Sequence, residues 1–202
     1  FGEETYKPCN WLAEKIWAAI SEVVHAARLG MDWLQEVAGI CVDNEVVPQW
    51  TTPLGFPVRM HYEKQEHLRI KTSVFGVIRQ TKVRRDSGDP SRRKSVNAMA
   101  PNWVHSLDGF GGLLGETINL SIDAGVNDYM VIHDDYETHA PNMPTIAAAA
   151  RQATVNLFSG NLLADTRKEI QYLLPSGVEL PEPPPQGTLD VSQVKEAHYY
   201  FS

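Results

Sequence analysis

From Trp11 to Leu34 the chain keeps an apolar stripe at helical spacing, and this stripe restricts the possible folds more than any other feature. At about 100° per residue, Leu12, Ile16, Ile20, Val23, Val24, Ala27, Met31 and Leu34 fall on one side, with Glu14, Lys15, Ser21, Glu22, His25 and Arg28 opposite. The spacing predicts one long, core-facing helix over 11–34. Gly39 and the β-branched residues after it end the helical pattern. So long an apolar face needs partners beyond the chain's other elements.

Those elements are short. Val46–Trp50 and Phe56–Tyr62 read as two strands joined by a turn at Thr52-Pro-Leu-Gly55. Leu68–Thr81 alternates well enough for one or two further strands, and a basic loop is expected next. A helix is expected from Pro101, in its first turn, to about Ala124, with Gly125 as its stop. Tyr129–Ile132 and Tyr136–His139 read as a tight hairpin with His133-Asp134 at or beside the bend. Thr145–Leu174 reads as helix broken near Gly160. Pro175, Pro181, Pro183, Pro184 and Pro185 then impose an extended connector, followed by a short amphipathic tail ending Tyr199-Tyr-Phe-Ser202.

Charge narrows the function classes. Over 202 residues, 18 Lys+Arg stand against 25 Asp+Glu for a net charge of −7. Taken as a sum, that disfavours a nucleic-acid partner. The sum hides a polarity: residues 1–102 hold 14 basic and 12 acidic groups (+2), residues 103–202 hold 4 and 13 (−9). Arg79, Lys82, Arg84, Arg85, Arg92, Arg93 and Lys94 crowd together, interrupted by Asp86 and Asp89. Such a cluster suits phosphate binding through counterion release. A solvated loop built on Asp86-Ser-Gly-Asp-Pro90 is the other open reading. No run approaches the roughly 18–20 apolar residues of a membrane span, and no signal-peptide layout is present, so a soluble protein with no membrane partner is expected. Cys9 and Cys41, outside any CxxC pairing, suit a reducing compartment. A chain beginning at Phe1 reads as a processed or partial product.

Two stretches carry candidate chemistry. In Val131-Ile-His-Asp-Asp-Tyr136, a carboxylate at a hairpin bend is a rigid place for a hard divalent cation such as Mg²⁺. Neighbouring strand residues point to opposite faces, so Asp134 is a better ligand candidate than Asp135; a solvated turn or Asx cap remains open. In Asn97–Gly109, His105 and Asp108 share a helix face, which permits an oriented imidazole or simply a half-buried polar residue.

Three motifs taken together go further. Trp50-Thr-Thr-Pro-Leu-Gly-Phe-Pro-Val58, then Asn97–Gly109 with its Asn-x-x-x-Pro-Asn-x-x-His-Ser-x-Asp wording, then Val131–His139 resemble, in order and spacing, the C-terminal palm and fingers of single-subunit DNA-dependent RNA polymerases, the bacteriophage and mitochondrial type. The resemblance reaches back through Lys15-Ile-Trp17 and Met31-Asp-Trp-Leu34 and forward to the aromatic C-terminus. It implies an α+β fold, the C-terminal part of a right-hand polymerase, incomplete without the upstream portion. Expected parts are residues 1–96 (fingers-side helix, β-hairpin and basic loop), 97–174 (palm with catalytic hairpin and helices) and 175–202 (connector and C-terminal foot).

By this resemblance Asp134 is the second catalytic aspartate and a ligand of both Mg²⁺ ions, and His133 lies near the RNA 3′ end. His105 reads the minor groove of the template–product duplex, where the degenerate acceptors suit a donor that accepts any correct pair. Arg84, Arg85, Arg92, Arg93 and Lys94 are expected to contact nucleic acid, with the family's promoter-recognising elements falling partly between Gly76 and Lys94. Asp135 departs from the small polar residue usual in phage members and is expected on the alternate face. The first catalytic aspartate and the fingers lysine and tyrosine lie upstream in this family and are not in this sequence. Alone the chain is therefore expected to be inactive, being either one subunit of a split, heterodimeric polymerase or a fragment of a longer chain. The implied reaction is two-metal transfer of nucleotides from NTPs to RNA on a DNA template, with Mg²⁺ and an upstream polypeptide. The expected compartment is the cytoplasm of a phage's bacterial host, with the mitochondrial matrix as alternative. Competing readings are an A-family DNA polymerase palm and a non-catalytic, polymerase-like nucleic-acid-binding module; use of ribonucleotides or deoxyribonucleotides separates the two enzymes.

Overall fold

A computed structural model of the chain describes residues 3–132 and 135–200, with side chains described from Tyr6. Six α-helices and three two-stranded antiparallel sheets follow in mixed order among the described residues. The first two helices, α1 (Glu3–Val23) and α2 (His25–Asp43), replace the single helix expected over 11–34. The chain kinks at Val24, beside Val23, a β-branched pair with low helix propensity. The hydrogen bonds from Val24 N to Ile20 O (2.9 Å) and from Arg28 N to Val24 O (3.0 Å) carry across the joint. Only the second half of the stripe faces the core. Trp33, Leu34, Val37, Ala38 and Cys41 are buried, whereas Leu12, Ile16, Ile20, Val23 and Val24 are exposed. Gly39 does not stop the helix; it is buried in α2, where a Cβ would lie 3.0 Å from Arg92 Nη2. The end comes at Asn44, whose Nδ2 donates to Ile40 O at 2.8 Å, with Val46 N reaching back to Cys41 O at 2.8 Å.

Strands β1 (Gln49–Thr51) and β2 (Pro57–Arg59) pair as expected around the turn at Thr52–Gly55. Thr52 organises that turn: its N–H donates to Phe56 O, its Oγ1 accepts from Phe56 N, and its carbonyl accepts from Gly55 N at 2.8 Å. Gly55 supplies the positive φ of 83°.

The expected basic loop is a strand. β3 (Glu63–Val74) and β4 (Val77–Pro90) form one long ribbon that contains Arg79, Lys82, Arg84 and Arg85. Alternation there continues past Thr81 as Lys-Val-Arg, enough to hold the ladder. Asp86-Ser-Gly-Asp-Pro90 becomes a bulge, with Gln65 opposite Asp86 and Glu63 opposite Pro90. Gly88 takes φ 83° and donates its N–H to Glu63 Oε2 at 2.8 Å.

Helix α3 (Arg92–Asp108) starts nine residues earlier than Pro101, which lies inside it rather than in its first turn. Pro101 lacks only a hydrogen bond to Asn97, an exposed residue. The junction to α4 (Leu113–Asp123) is set by glycine: a Cβ on Gly112 would sit 1.9 Å from Leu107 O, and one on Gly111 would sit 2.7 Å from Thr52 Oγ1. The turn at 52–55 and the α3–α4 junction therefore nest together, and Leu54 N donates to Gly111 O at 3.4 Å. Gly125, with φ 89°, ends α4 as expected.

The hairpin β5 (Tyr129–Ile132) and β6 (Asp135–Thr138) is followed by α5 (Met143–Phe158) and α6 (Leu162–Leu173), broken at the expected glycine. Alanines 149, 150 and 153 of α5 are buried and let α4 approach closely through Leu114 and Ile118. The main core joins α2, β1, Met60, Met99 and Ala100 of α3, Ile170 of α6 and Leu180 of the connector. The proline-rich connector is extended and strapped to α6. Arg167 donates to Leu180 O (2.9 Å) and Pro181 O (3.1 Å), while Gln171 bonds Val178 O and Leu180 N, each at 2.8 Å.

Gly112→Ala is expected to cost about 3 kcal/mol or more, because the added carbon meets fixed backbone. For a chain of this size that is a fall of roughly 6–12 °C in Tm by calorimetry. A Tm within about 2 °C of the parent's would contradict so tight a junction.

Candidate active site and nucleic-acid interface

The β5–β6 register pairs Tyr129 with Thr138, Met130 with Glu137, Val131 with Tyr136 and Ile132 with Asp135. The two residues between the strands in sequence are His133 and Asp134, the expected catalytic residues. They lie outside the described residues. The strands on either side are held at the other end by Thr138 Oγ1, which donates to Asp128 O. A recess of about 420 Å³ lined by Asp128, Tyr129, Met130, Glu137, Thr138 and His139 occupies that open end, four residues from the bend. Asp135 is exposed on β6. No group of three or more His, Cys, Asp or Glu among the described residues has the arrangement of a metal site. One or two carboxylates suit Mg²⁺ only with further oxygen ligands from elsewhere.

His105 lies in the last turn of α3, exposed, with its carbonyl accepting from Gly109 N at 3.0 Å. Its neighbour Ser106 turns the other way, accepting the Trp50 indole N–H at 3.0 Å and donating to Trp103 O at 2.7 Å. Trp103 Nε1 donates to Thr166 Oγ1 at 2.9 Å. The Asn97–Gly109 motif thus locks α3 to β1 and α6 with one side and shows His105 and Asp108 on the other.

The basic cluster separates into three groups. Arg92 forms a paired contact with Asp43, Nε to Oδ1 at 2.8 Å and Nη2 to Oδ2 at 3.2 Å, bracketing α3 to α2. The Arg92 hydrogen bond holds the Asp43 carboxyl below the usual carboxylate range, and the same bond raises Arg92. Lys94 Nζ donates to Glu63 O at 3.0 Å, closing the base of the ribbon, and Arg93 is exposed. The remaining cations lie on the ribbon. Cross-strand partners share a face, so His67 with Arg84, Arg69 with Lys82 and Lys71 with Gln80 make one side. Glu66 with Arg85, Leu68 with Val83, Ile70 with Thr81 and Thr72 with Arg79 make the other. Arg85 is therefore on the apolar side, away from Arg84.

His67, Arg69 and Lys71 belong with Lys82 and Arg84, yet the basic-cluster reading misses them because they lie outside the dense run. The alternation His67-Leu-Arg-Ile-Lys71 is the signal that reveals them. The resulting face carries five basic side chains, with Asp86 opposite Gln65 at its base as the acidic one, and like charges stand directly opposite each other at Arg69 and Lys82. Such pairs destabilise a free ribbon and are relieved by a polyanion laid across them.

At the C-terminus, a 3₁₀ turn at Val191–Glu196 packs on α5. Arg151 donates to Ala197 O at 3.1 Å and lies 5.7 Å from the Tyr200 ring centroid, and the Thr154 and Tyr200 hydroxyls are hydrogen-bonded. The aromatic tail is thereby docked as far as Tyr200; Phe201 and Ser202 lie outside the described residues.

A profile of the DNA-dependent RNA polymerase family matches residues 2–179. The chain belongs to this family, the single-subunit, phage type. Among its relatives, the chloroplastic DNA-directed RNA polymerase 3 of Nicotiana sylvestris is 32% identical over 192 residues, covering 95% of this chain and 19% of the relative. The mitochondrial DNA-directed RNA polymerase 1 of the same plant is 29% identical over 199 residues, covering 98% and 19%. The chloroplastic/mitochondrial DNA-directed RNA polymerase 2 of Arabidopsis thaliana is 29% identical over 204 residues, covering 100% and 19%. The chain spans about a fifth of the length of these relatives. Among the described residues, no helix is long and apolar enough to cross a membrane.

Proposed function

We propose that the chain is the C-terminal palm-and-fingers portion of a DNA-directed RNA polymerase that transfers nucleotides from NTPs to the RNA 3′ end on a DNA template. The observation that carries this reading is the β5–β6 pairing up to Ile132 and Asp135, which leaves only His133-Asp134 between the strands in a member of this family. Asp134 would hold Mg²⁺ together with a carboxylate from an upstream polypeptide, since one carboxylate is too few for two ions. Mg²⁺ there supplies the Lewis acidity that eases loss of the 3′-hydroxyl proton and neutralises the departing pyrophosphate. His133 would stand beside the RNA 3′ end, and exposed His105 would offer a donor to the minor groove of the template–product duplex.

The cationic ribbon face, Arg84 with Lys82, Arg69, Lys71 and His67, would lie along DNA phosphates, with Arg93 extending it at the start of α3. Arg92 and Lys94 would act by holding the ribbon's base to α2 and β3, and Arg85 from the ribbon's other side. A contribution from an upstream polypeptide, forming a heterodimer or the rest of one chain, also accounts for the exposed stripe of α1. The compartment in this reading is the cytoplasm of a phage-infected bacterium, with the mitochondrial matrix as the alternative; the relatives' names are chloroplastic and mitochondrial, and the latter is consistent with that alternative.

In the enzyme assembled with its upstream part, Asp134→Ala is expected to lower Mg²⁺-dependent ribonucleotide incorporation by at least about 10³-fold, or roughly 4 kcal/mol of barrier. Incorporation that survives the substitution rejects the assignment. Lys82→Glu with Arg84→Glu is expected to weaken duplex binding by about 10- to 100-fold and to reduce the slope of log affinity against log salt by roughly 2. An unchanged slope would remove the ribbon from the DNA interface.

A further inference from the structure

The turn joining β3 to β4 is Phe75-Gly76, and both residues have positive φ, 49° and 77°. A two-residue turn of this kind is filled without strain by Asn-Gly; a bulky aromatic residue in the left-handed region is an outlier. Outliers of this sort persist where the surroundings or a function require them. The free chain offers no packing reason for this one. Phe75 is 102% exposed, and its neighbours Val74, Val77 and Ile78 are exposed as well. A protruding aromatic ring therefore caps a strand pair whose flank carries His67, Arg69, Lys71, Lys82 and Arg84.

We propose that this tip is a base-stacking site, in which the Phe75 ring takes an unpaired or unstacked base of DNA held along the cationic face; the inference rests on the reading of that face given above. Charge complementarity selects the occupant. A partner made of protein would cover the apolar tip, but would leave the opposed Arg69 and Lys82 without counter-charge unless it were itself acidic. A nucleic acid satisfies both, because its backbone is a polyanion and its bases have apolar faces. In an intact duplex those faces are hidden by stacking, and only base edges are open in the grooves. An aromatic ring at the end of the ribbon gains most where a base step is already opened or easily unstacked, as at flexible pyrimidine–purine steps. Val74 and Val77, paired at the ribbon's end, back the ring with apolar surface rather than charge.

The test uses the assembled enzyme and two labelled DNAs of equal length, one fully paired and one with a short central bubble carrying 2-aminopurine. Wild-type enzyme is expected to bind the bubble about 10-fold more tightly than the duplex. Phe75→Ala and Phe75→Asn are expected to bring that ratio to within about twofold, and Phe75→Trp to keep it along with the quenching of 2-aminopurine. Asn suits the left-handed backbone, so loss in both variants assigns the effect to the ring. An unchanged ratio in Phe75→Ala overturns the proposal, as does a wild-type enzyme with no preference for the bubble. So does a Phe75→Ala defect confined to assembly with the upstream polypeptide, which would make the tip a protein contact. Lys82→Glu with Arg84→Glu, run beside these, is expected to weaken both DNAs equally. If it weakens neither, the DNA-facing reading of the ribbon fails first and the tip with it.

Discussion

A buried indole N–H must find an acceptor, and three of them decide how this chain is put together. Trp50 on β1 reaches Ser106, Trp103 on the same helix reaches Thr166 of α6, and Trp33 of α2 reaches Pro181 O of the connector at 3.1 Å. Each acceptor sits on a different element, so the rings can be buried only if β1, α3, α6 and the connector meet in one arrangement. Around these bonds the apolar contacts of Leu34, Val37, Met99 and Ile170 supply the bulk of the stabilisation, at about 1.5–3 kcal/mol for each fully buried large side chain. The bonds add little net energy, but a mispacked alternative would leave an N–H unsatisfied, and this penalty selects the one arrangement.

That core faces inward and leaves two surfaces open. One is the ribbon, exposed along nearly its whole length, which an isolated pair of strands could barely sustain. Its order comes from its base, where Ser91 N meets Tyr62 O at 2.8 Å and Asn102 reaches the Tyr62 hydroxyl at 2.8 Å. The other is the outer stripe of α1, with Trp11, Leu12, Ile16, Trp17 and Ile20 toward solvent. One surface is cationic and the other apolar, so they ask for different neighbours, a polyanion and a protein. A chain about a fifth the length of its relatives, with both surfaces bare, fits the reading of a part that works within a larger polymerase.

Legibility in the sequence tracks how local the determining interaction is. The β5–β6 hairpin is readable because a four-residue apolar run and an alternating return, two polar residues apart in sequence, leave room for only one tight connection. The turn at Thr52–Gly55 and the stops at Gly125 and Gly160 are readable for the same reason. The second half of β4 is misread as a loop because Asp86-Ser-Gly-Asp-Pro90 carries turn chemistry, and nothing local says that Glu63 accepts the Gly88 N–H across the bulge. The start of α3 at Arg92 depends on a tertiary partner: the ion pair with Asp43 sets the first turn of α3 well before Pro101. Of the candidate site, the exposed helical position of His105 beside Asp108 is legible in the spacing, whereas the grouping of Arg84 with Arg69 and Lys71, rather than with Arg85, needs the cross-strand register.

The central proposal is that the residues between β5 and β6 hold the divalent ion of nucleotide transfer. Replacing Mg²⁺ by Fe²⁺ in the assembled enzyme, adding ascorbate and peroxide, and mapping the backbone cuts by mass spectrometry tests it directly, because hydroxyl radicals cut only near the bound iron. Cuts in this chain between Ile132 and Asp135, suppressed by excess Mg²⁺, are the predicted result. Cleavage confined to other segments, or cuts at the bend that excess Mg²⁺ does not suppress, would contradict it.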